Sequence, residues 1–226
     1  MTFYVTSSEV EKPATVSALA GQSQFRLYRN FFKSVFDALI VLAAAPIVLP
    51  FVLIMAFLVA LDGHNPFYSQ VRIGRGGRHF RIWKIRTMVP NAEEKLEAHL
   101  ASCEFAREEW NTTQKLKVDP RITRVGRVLR KLSIDELPQL WNVLNGTMSL
   151  VGPRPMMVEQ QSEYPGRAYY RLRPGITGFW QVSARNESTF ADRAGFDDAY
   201  DKEMSFSTDM KTLLKTVGVV LKGTGY

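Results

Sequence analysis

Ala38–Leu61 reads ALIVLAAAPIVLPFVLIMAFLVAL, 24 consecutive residues drawn only from Ala, Val, Leu, Ile, Met, Phe and Pro. Wound as an α-helix the run extends roughly 36 Å, enough to cross the hydrocarbon core of a bilayer. A core helix in a small soluble domain rarely needs so long an apolar stretch. Pro46 and Pro50 sit inside the run. Each removes a helical hydrogen bond and crowds the preceding turn with its ring, so a sharp bend is expected. Basic residues flank both ends, with Arg26, Arg29 and Lys33 before and Arg72, Arg75, Arg78 and Arg81 after. A crossing helix carries its Lys/Arg excess on one side. The symmetric flanks therefore favour a re-entrant helix with both ends facing the cytoplasm over a single-pass span with a tolerated proline bend.

The rest of the chain is not membrane-like. With 226 residues, 46% of them hydrophobic, and a mean hydropathy of −0.12, it has room for one catalytic unit and excludes a bundle of many spans. The 29 Lys+Arg against 22 Asp+Glu leave a net charge of +7, which suits nucleic acid, anionic lipid or a phosphorylated substrate. The bases accompany a membrane run and no nucleic-acid motif is present, so no nucleic-acid partner is expected. The single cysteine, Cys103, rules out an intrachain disulfide framework and reads as a small residue on a helix. His64, His79 and His99 lack zinc-site spacing. The expected organisation is a flexible tail over residues 1–24, a re-entrant membrane helix over 25–62 and a cytoplasmic catalytic domain over 63–226. The fold class is α+β, mainly helical: a membrane-embedded monotopic unit with a short β-hairpin and interfacial amphipathic helices.

The hairpin comes from FYSQVRIG (67–74) and HFRIWKIRTM (79–88), joined at Gly76-Gly77, with Lys84 and Arg86 two apart and so on one face. Residues 93–110 have helical spacing through Leu96, Leu100 and Trp110 and read as structural. DPRITRVGRVLRKLS (119–133) predicts a basic amphipathic helix, with Ile122, Val125, Leu129 and Leu132 apolar and Arg124, Arg127, Arg130 and Lys131 charged. Near the C-terminus Leu213, Leu214, Val217, Val220 and Leu221 form a second stripe beside Lys211, Lys215 and Lys222, ending at Gly223. Both helices suit a membrane surface; core packing is the alternative for each stripe.

Chemistry is concentrated in SIDELPQLWNVL (133–144), where Asp135 and Glu136 stand at the threshold of a helix. If Ser133 caps that helix, Ser-x-x-Glu forms a capping box and the acids are structural. Pro138 favours a later start, because proline fits best at the first helical position. Under either start the positive helix end favours an ionised Asp135, and such a carboxylate can be a nucleophile. Neighbouring helix positions diverge, so the two acids are expected to act separately rather than share a proton. Attack on a diphosphate needs its charge offset. The GPRP turn (152–155) offers Arg154, fixed between two prolines as a bidentate phosphate clamp, and Lys84, Arg86 and Arg121 add charge as further substrate-binding candidates. A solvated or lipid-facing surface is the structural reading of these bases. Magnesium, held by one carboxylate and substrate phosphates, completes the expected set.

The ordered segments KSVFD (33–37), KIRTM (84–88), DPRITRVGRVLRKLSIDELPQLWNVLNGTMSLVGPRP (119–155), RPGITGFWQV (173–182) and LLKTVGVVLKG (213–223) resemble the monotopic phosphoglycosyl transferases, the bacterial sugar transferase family that initiates exopolysaccharide and glycan assembly. The resemblance covers nearly everything after residue 30. It implies a membrane helix bent at Pro46 and a cytoplasmic catalytic face seated on interfacial helices. Asp135 is implied as the nucleophile that attacks the phosphate nearer the sugar, releases the nucleoside monophosphate and holds a covalent phosphosugar. Glu136 is implied to assist the polyprenyl phosphate, with Mg2+ bridging Asp135 and the diphosphate. RKLSIDELPQLWN (130–142) and SARNES (183–188) look closest to the galactosyl-1-phosphate transferases of succinoglycan-type exopolysaccharides, which implies UDP-galactose as donor and undecaprenyl phosphate as acceptor; glucose or another UDP-sugar is the alternative. Membrane lipids, a second copy of the chain and later glycosyltransferases of the pathway are the other implied partners. Ala45 departs from the family, many of whose members have Ser before the bend proline. A non-enzymatic membrane-surface module that recruits assembly partners is the competing class, and it leaves the acidic pair without a role.

Overall fold

A computed structural model describes residues 27–113, 116–183 and 188–222, so the expected tail, Arg26 and Gly223 lie outside the described residues. Tyr28–Phe32 forms a turn of π-helix that leads into α1, Lys33–Ala60. Its 28 residues continue unbroken through Pro46 and Pro50. In its most apolar window only 11% of the helix is buried, the opposite of a core helix. Leu39, Leu42, Ile47, Phe57 and Leu61 are each more than half exposed.

One edge of α1 is nonetheless fixed along the body of the protein. Val41 enters a core with Ile82, Val143, Met148 and Tyr200, while Val52 and Val59 meet Ile85 and Leu129. Polar ties secure the N-terminal end of α1. Lys33 pairs with Asp209 at 2.5 Å and lies 4.0 Å from Asp37, which accepts from the Ser149 hydroxyl at 2.6 Å and faces Arg173 at 3.5 Å. Arg29 pairs with Asp201 at 2.8 Å. Arg29 and Lys33, expected as the basic flank of a membrane run, are thus turned inward: an ammonium as buried as Lys33 persists only with partners.

After α1, β1 (Phe67–Ile73) and β2 (His79–Ile85) form the expected antiparallel hairpin, with Phe67 opposite Ile85. Gly76 and Gly77 turn it at φ +69° and +75°, where only glycine is unstrained. The helical stretch over 93–110 is two helices, α2 (Ala92–Ser102) and α3 (Glu104–Thr113). Cys103, expected on a helix, is the extended residue that separates them, at φ −137° and ψ 105°.

The basic helix is α4 (Arg124–Lys131), capped by Thr123, whose hydroxyl accepts from the Gly126 amide. Leu129 is buried, whereas Val125 and Val128 face outward. A 3-10 helix, Ile134–Gln139, leads into α5 (Leu140–Leu144). A second sheet, without counterpart in the sequence reading, pairs β3 (Ser149–Val151) in parallel with β4 (Gly175–Thr177). Between and after them come α6 (Ala168–Arg171), α7 (Phe179–Val182), α8 (Arg193–Glu203) and α9 (Phe206–Leu221). The apolar stripe of α9 is divided: Leu213 packs on the core, and Leu214, Val217 and Leu221 are exposed. Together with Trp141 and Leu144 on α5 and the outer side of α1, they leave much apolar surface outside the core.

Candidate active site

Neither expected start of the acidic helix is observed. Ser133 adopts a left-handed conformation at φ +54° and makes no side-chain cap, so the capping box does not form. The chain enters a 3-10 turn at Ile134 and becomes α-helical only at Leu140. Pro138 accounts for the delay, since without an N–H it cannot bond back to the Ile134 carbonyl as an α-helix requires. The reversal at Ser133 places Asp135 and Glu136 against β2.

There Lys84 Nζ lies 2.8 Å from Glu136 Oε1 and 3.8 Å from Asp135 Oδ2. Arg154 Nη2 reaches the same Glu136 oxygen at 3.2 Å. Both cations thus converge on Glu136, and Asp135 is the less neutralised acid. Asp135 is only 8% exposed. Burial raises its pKa above the ordinary carboxylate value, helped by the Glu136 charge and opposed by Lys84, Arg130 and Arg154. Desolvation therefore outweighs the helix-end stabilisation expected from the sequence.

Arg154 owes its place to a close backbone crossing. The Gly152 amide donates to Thr177 O at 2.8 Å, and the Gly175 amide donates to Pro153 O at 2.7 Å. A Cβ on Gly175 would stand 2.2 Å from Gly152 N, and one on Gly178 would stand 2.1 Å from Gly152 O. Only glycine permits that approach, which is why GPRP and RPGITG are joined in space.

The other two basic candidates do not join the acidic pair. Arg86 donates to Val59 O, Asn65 O, Met88 O and both carboxylate oxygens of Asp62, which occupies every donor that a guanidinium has. It closes the end of α1. Although two residues from Lys84, it is drawn to the Asp62 carboxylate rather than to Glu136. Arg121 holds the Asp119 carboxylate at 2.7 Å and stacks on Trp110, with 5.1 Å to the ring centre.

The sequence does not nominate three further arginines for the site, although it places Arg72 in the basic flank of the apolar run. Arg130, beside Asp135 and bonded to the Thr87 hydroxyl at 2.8 Å, is in the sequence one charge among several on an amphipathic helix. Its position just ahead of the reversal at Ser133 was the available signal. Arg72 and Arg193 approach Arg154 from other elements, and burial together with that mutual repulsion lowers the pKa of both, Arg193 to about 10. Their buried Nε atoms have no hydrogen-bond partner. Arg193 stacks on Trp180, 4.1 Å from the ring centre, beside Asp197, whose pKa burial raises to about 7. No sequence spacing connects these positions.

The donor set can accommodate magnesium in one way. Among the described residues no three His, Cys, Asp or Glu groups converge. A protein-made cage is therefore not present in them, but magnesium commonly takes one or two carboxylates and completes its shell with phosphate oxygens and water. Asp135, less neutralised than Glu136, fits that role.

A buried Asp135 beside a half-buried Glu136, ringed by lysine and arginine and next to extensive exposed apolar surface, suits a phosphorylated ligand with an apolar part. The chain belongs to the bacterial sugar transferase family, which matches residues 28–223. It is 45% identical over 98% of its length to the UDP-galactose-lipid carrier transferase of Erwinia amylovora. It is 44% identical over 85% of its length to the exopolysaccharide production protein ExoY of Sinorhizobium fredii, and 44% over 87% to the undecaprenyl-phosphate galactose phosphotransferase of Salmonella typhimurium. It spans 46% of the Erwinia protein and 42% of the Salmonella protein, but 87% of ExoY.

Proposed function

We propose that this protein transfers a sugar-1-phosphate from a UDP-sugar to undecaprenyl phosphate, releasing UMP, as the first membrane step of exopolysaccharide synthesis. The names of its relatives favour galactose as the sugar. The observation that carries the reading is the division of charge at the acidic pair: Lys84 and Arg154 both hold Glu136, which leaves Asp135 available to attack. An Asp135 oxygen forms a bond to the phosphorus that bears the sugar while the bond to the nucleoside phosphate breaks, and UMP departs. Arg154 is placed to bind the diphosphate and to offset the negative charge that builds up during attack. In the second half-reaction an oxygen of the lipid phosphate attacks the same phosphorus, Glu136 takes the proton if the monoester is protonated, and Asp135 is released. Magnesium, held by Asp135 and the diphosphate, would supply further charge neutralisation.

Location at the cytoplasmic face of the bacterial inner membrane, with α1 re-entrant and bent at Pro46, is part of the same reading. It is supported by the ties of both ends of α1 to one body, Lys33 to Asp209 at one and Arg86 to Asp62 at the other. The test is to incubate the purified protein in lipid nanodiscs with undecaprenyl phosphate, magnesium and a panel of nucleotide-sugars. UMP release with UDP-galactose, stopped by chelator and restored by magnesium, is the expected result. Release from no donor would favour the recruiting module.

A further inference from the structure

A cavity of about 310 Å³ opens beside the acidic pair, between the 3-10 turn, α7 and the second half of α9. Its walls are aliphatic: Leu137, Leu140, Ile176, Val182, Val219 and Val220. Glu136, Arg154 and Gln181 join them. Two threonines in the lining, Thr177 and Thr216, are already bonded to each other at 2.7 Å. Gln181 is different. It is only 7% exposed, and neither its Oε1 nor its Nε2 has a hydrogen-bond partner. A buried amide left unpaired on both sides costs free energy that an aliphatic side chain of similar size would not. Its place is fixed by the crossing that positions Arg154, since a Cβ on Gly178 would lie 2.1 Å from Gly152 O and 3.1 Å from Gln181 Oε1.

A ligand for this groove must be apolar along most of its length and polar where it meets Arg154 and Gln181. We infer that the groove seats the lipid acceptor of the proposed transfer, its first isoprene units on the aliphatic walls and its phosphate between Arg154 and the Gln181 carboxamide. This rests on the proposed function for the identity of the acceptor, and on the groove for its position. A phosphate monoester titrates near neutrality, so it offers oxygens to Gln181 Nε2 and, while protonated, a hydroxyl to Oε1. A hexose would also pair with the amide, but the aliphatic walls would leave most of its hydroxyls unpaired. The groove borders α9, whose Leu214, Val217 and Leu221 are exposed, so a membrane-borne chain has an apolar route to it.

Two variants of the full-length protein in nanodiscs test this. Gln181→Leu removes the orphaned amide, and Val219→Trp fills the groove. Both should raise the KM for a short-chain polyprenyl phosphate by roughly ten-fold or more. The KM for the nucleotide-sugar and the release of UMP without acceptor should be unchanged. Gln181→Leu should melt no lower than wild type, which a structural glutamine would not allow. Direct binding of the polyprenyl phosphate without donor, by native mass spectrometry, should be weakened by Val219→Trp. If wild type proves inactive yet binds the lipid in this groove-dependent way, the proposed reaction fails and the groove assignment stands. Unchanged lipid binding and acceptor KM in both variants would overturn it, and so would a change confined to donor KM or sugar preference, which would mark the groove as a hexose site.

Discussion

Two clusters in this protein are built from the same parts, one lysine, two carboxylates and one arginine, and they differ in how completely those parts are partnered. In the first, Lys33, Asp37, Asp209 and Arg173 lie where α1 meets the body, and every carboxylate oxygen pair is met by further donors: Tyr28 and Tyr200 hydroxyls bond Asp209, and the Ser149 hydroxyl bonds Asp37. In the second, Lys84, Asp135, Glu136 and Arg154 sit beside an open groove, and the ion pair of Asp135 is a long one, to Lys84 at 3.8 Å, with Arg130 and Arg154 acting from farther off. The Lys33 and Asp209 side chains are 5% and 1% exposed, against 21% and 28% for Lys84 and Arg154. Residue type does not separate the two clusters; completeness of the partners does, and the incomplete one is where the proposed chemistry falls.

The sharpest way to break the comparison is to neutralise one acid on each side. Asp135→Asn should lower turnover by about 10⁴-fold or more, as loss of a nucleophile does. It should not lower the melting temperature at neutral pH. The sign follows from burial: a carboxyl whose folded pKa is raised favours the folded state at low pH, and that contribution is lost as pH rises through the raised value. An uncharged Asn escapes that loss. A large fall in melting temperature for Asp135→Asn, with turnover retained, would place Asp135 in the first class.

The lysines give a smaller and crossed effect. Lys33→Met leaves Asp209 buried without its cation and should destabilise the fold by about 3–5 kcal/mol, read by denaturation, while the protein that remains folded keeps its kcat. Lys84→Met should do the reverse, reducing kcat with little change in stability, because the side chain it replaces is partly solvated. Arg154→Lys keeps the charge but loses the planar fork, and should raise the KM for the nucleotide-sugar more than loss of geometry at a solvated arginine would.

The smallest effect is one of pH. Because burial raises Asp135, the acid limb of UMP release should have its midpoint above the ordinary carboxylate range, with the rate rising as pH rises and Asp135 ionises. A rate that stays flat down to the ordinary aspartate pKa would mean that the reactive group is not a buried carboxyl.

Much of this was legible in the chain because it depended on local pattern. The apolar run, the glycine-turned hairpin, the basic helix and the neighbouring acids all follow from spacing within a few residues. Lys84 and Arg154 could be nominated for the site because a strand face and a proline-bracketed turn constrain them. What was not legible was which partner each charge would find. Lys33 resembles a membrane flank until Asp209, 176 residues away, is seen to bury it. Arg86 looks like a twin of Lys84 until Asp62, 24 residues before it, claims its guanidinium. Gln181 carries no local signal, since an orphaned amide is defined only by everything that fails to reach it.

The most direct test of the open cluster is to trap what Asp135 is proposed to form. Protein incubated with UDP-galactose labelled in the sugar, in magnesium and without polyprenyl phosphate, should acquire label covalently as UMP is released. Asp135→Asn should acquire none, and adding polyprenyl phosphate to the labelled wild type should move the label to lipid. If Asp135→Asn labelled as fully as wild type, or if wild type released UMP only when the lipid was present and never carried label, Asp135 would not be the nucleophile and transfer would pass directly from donor to acceptor.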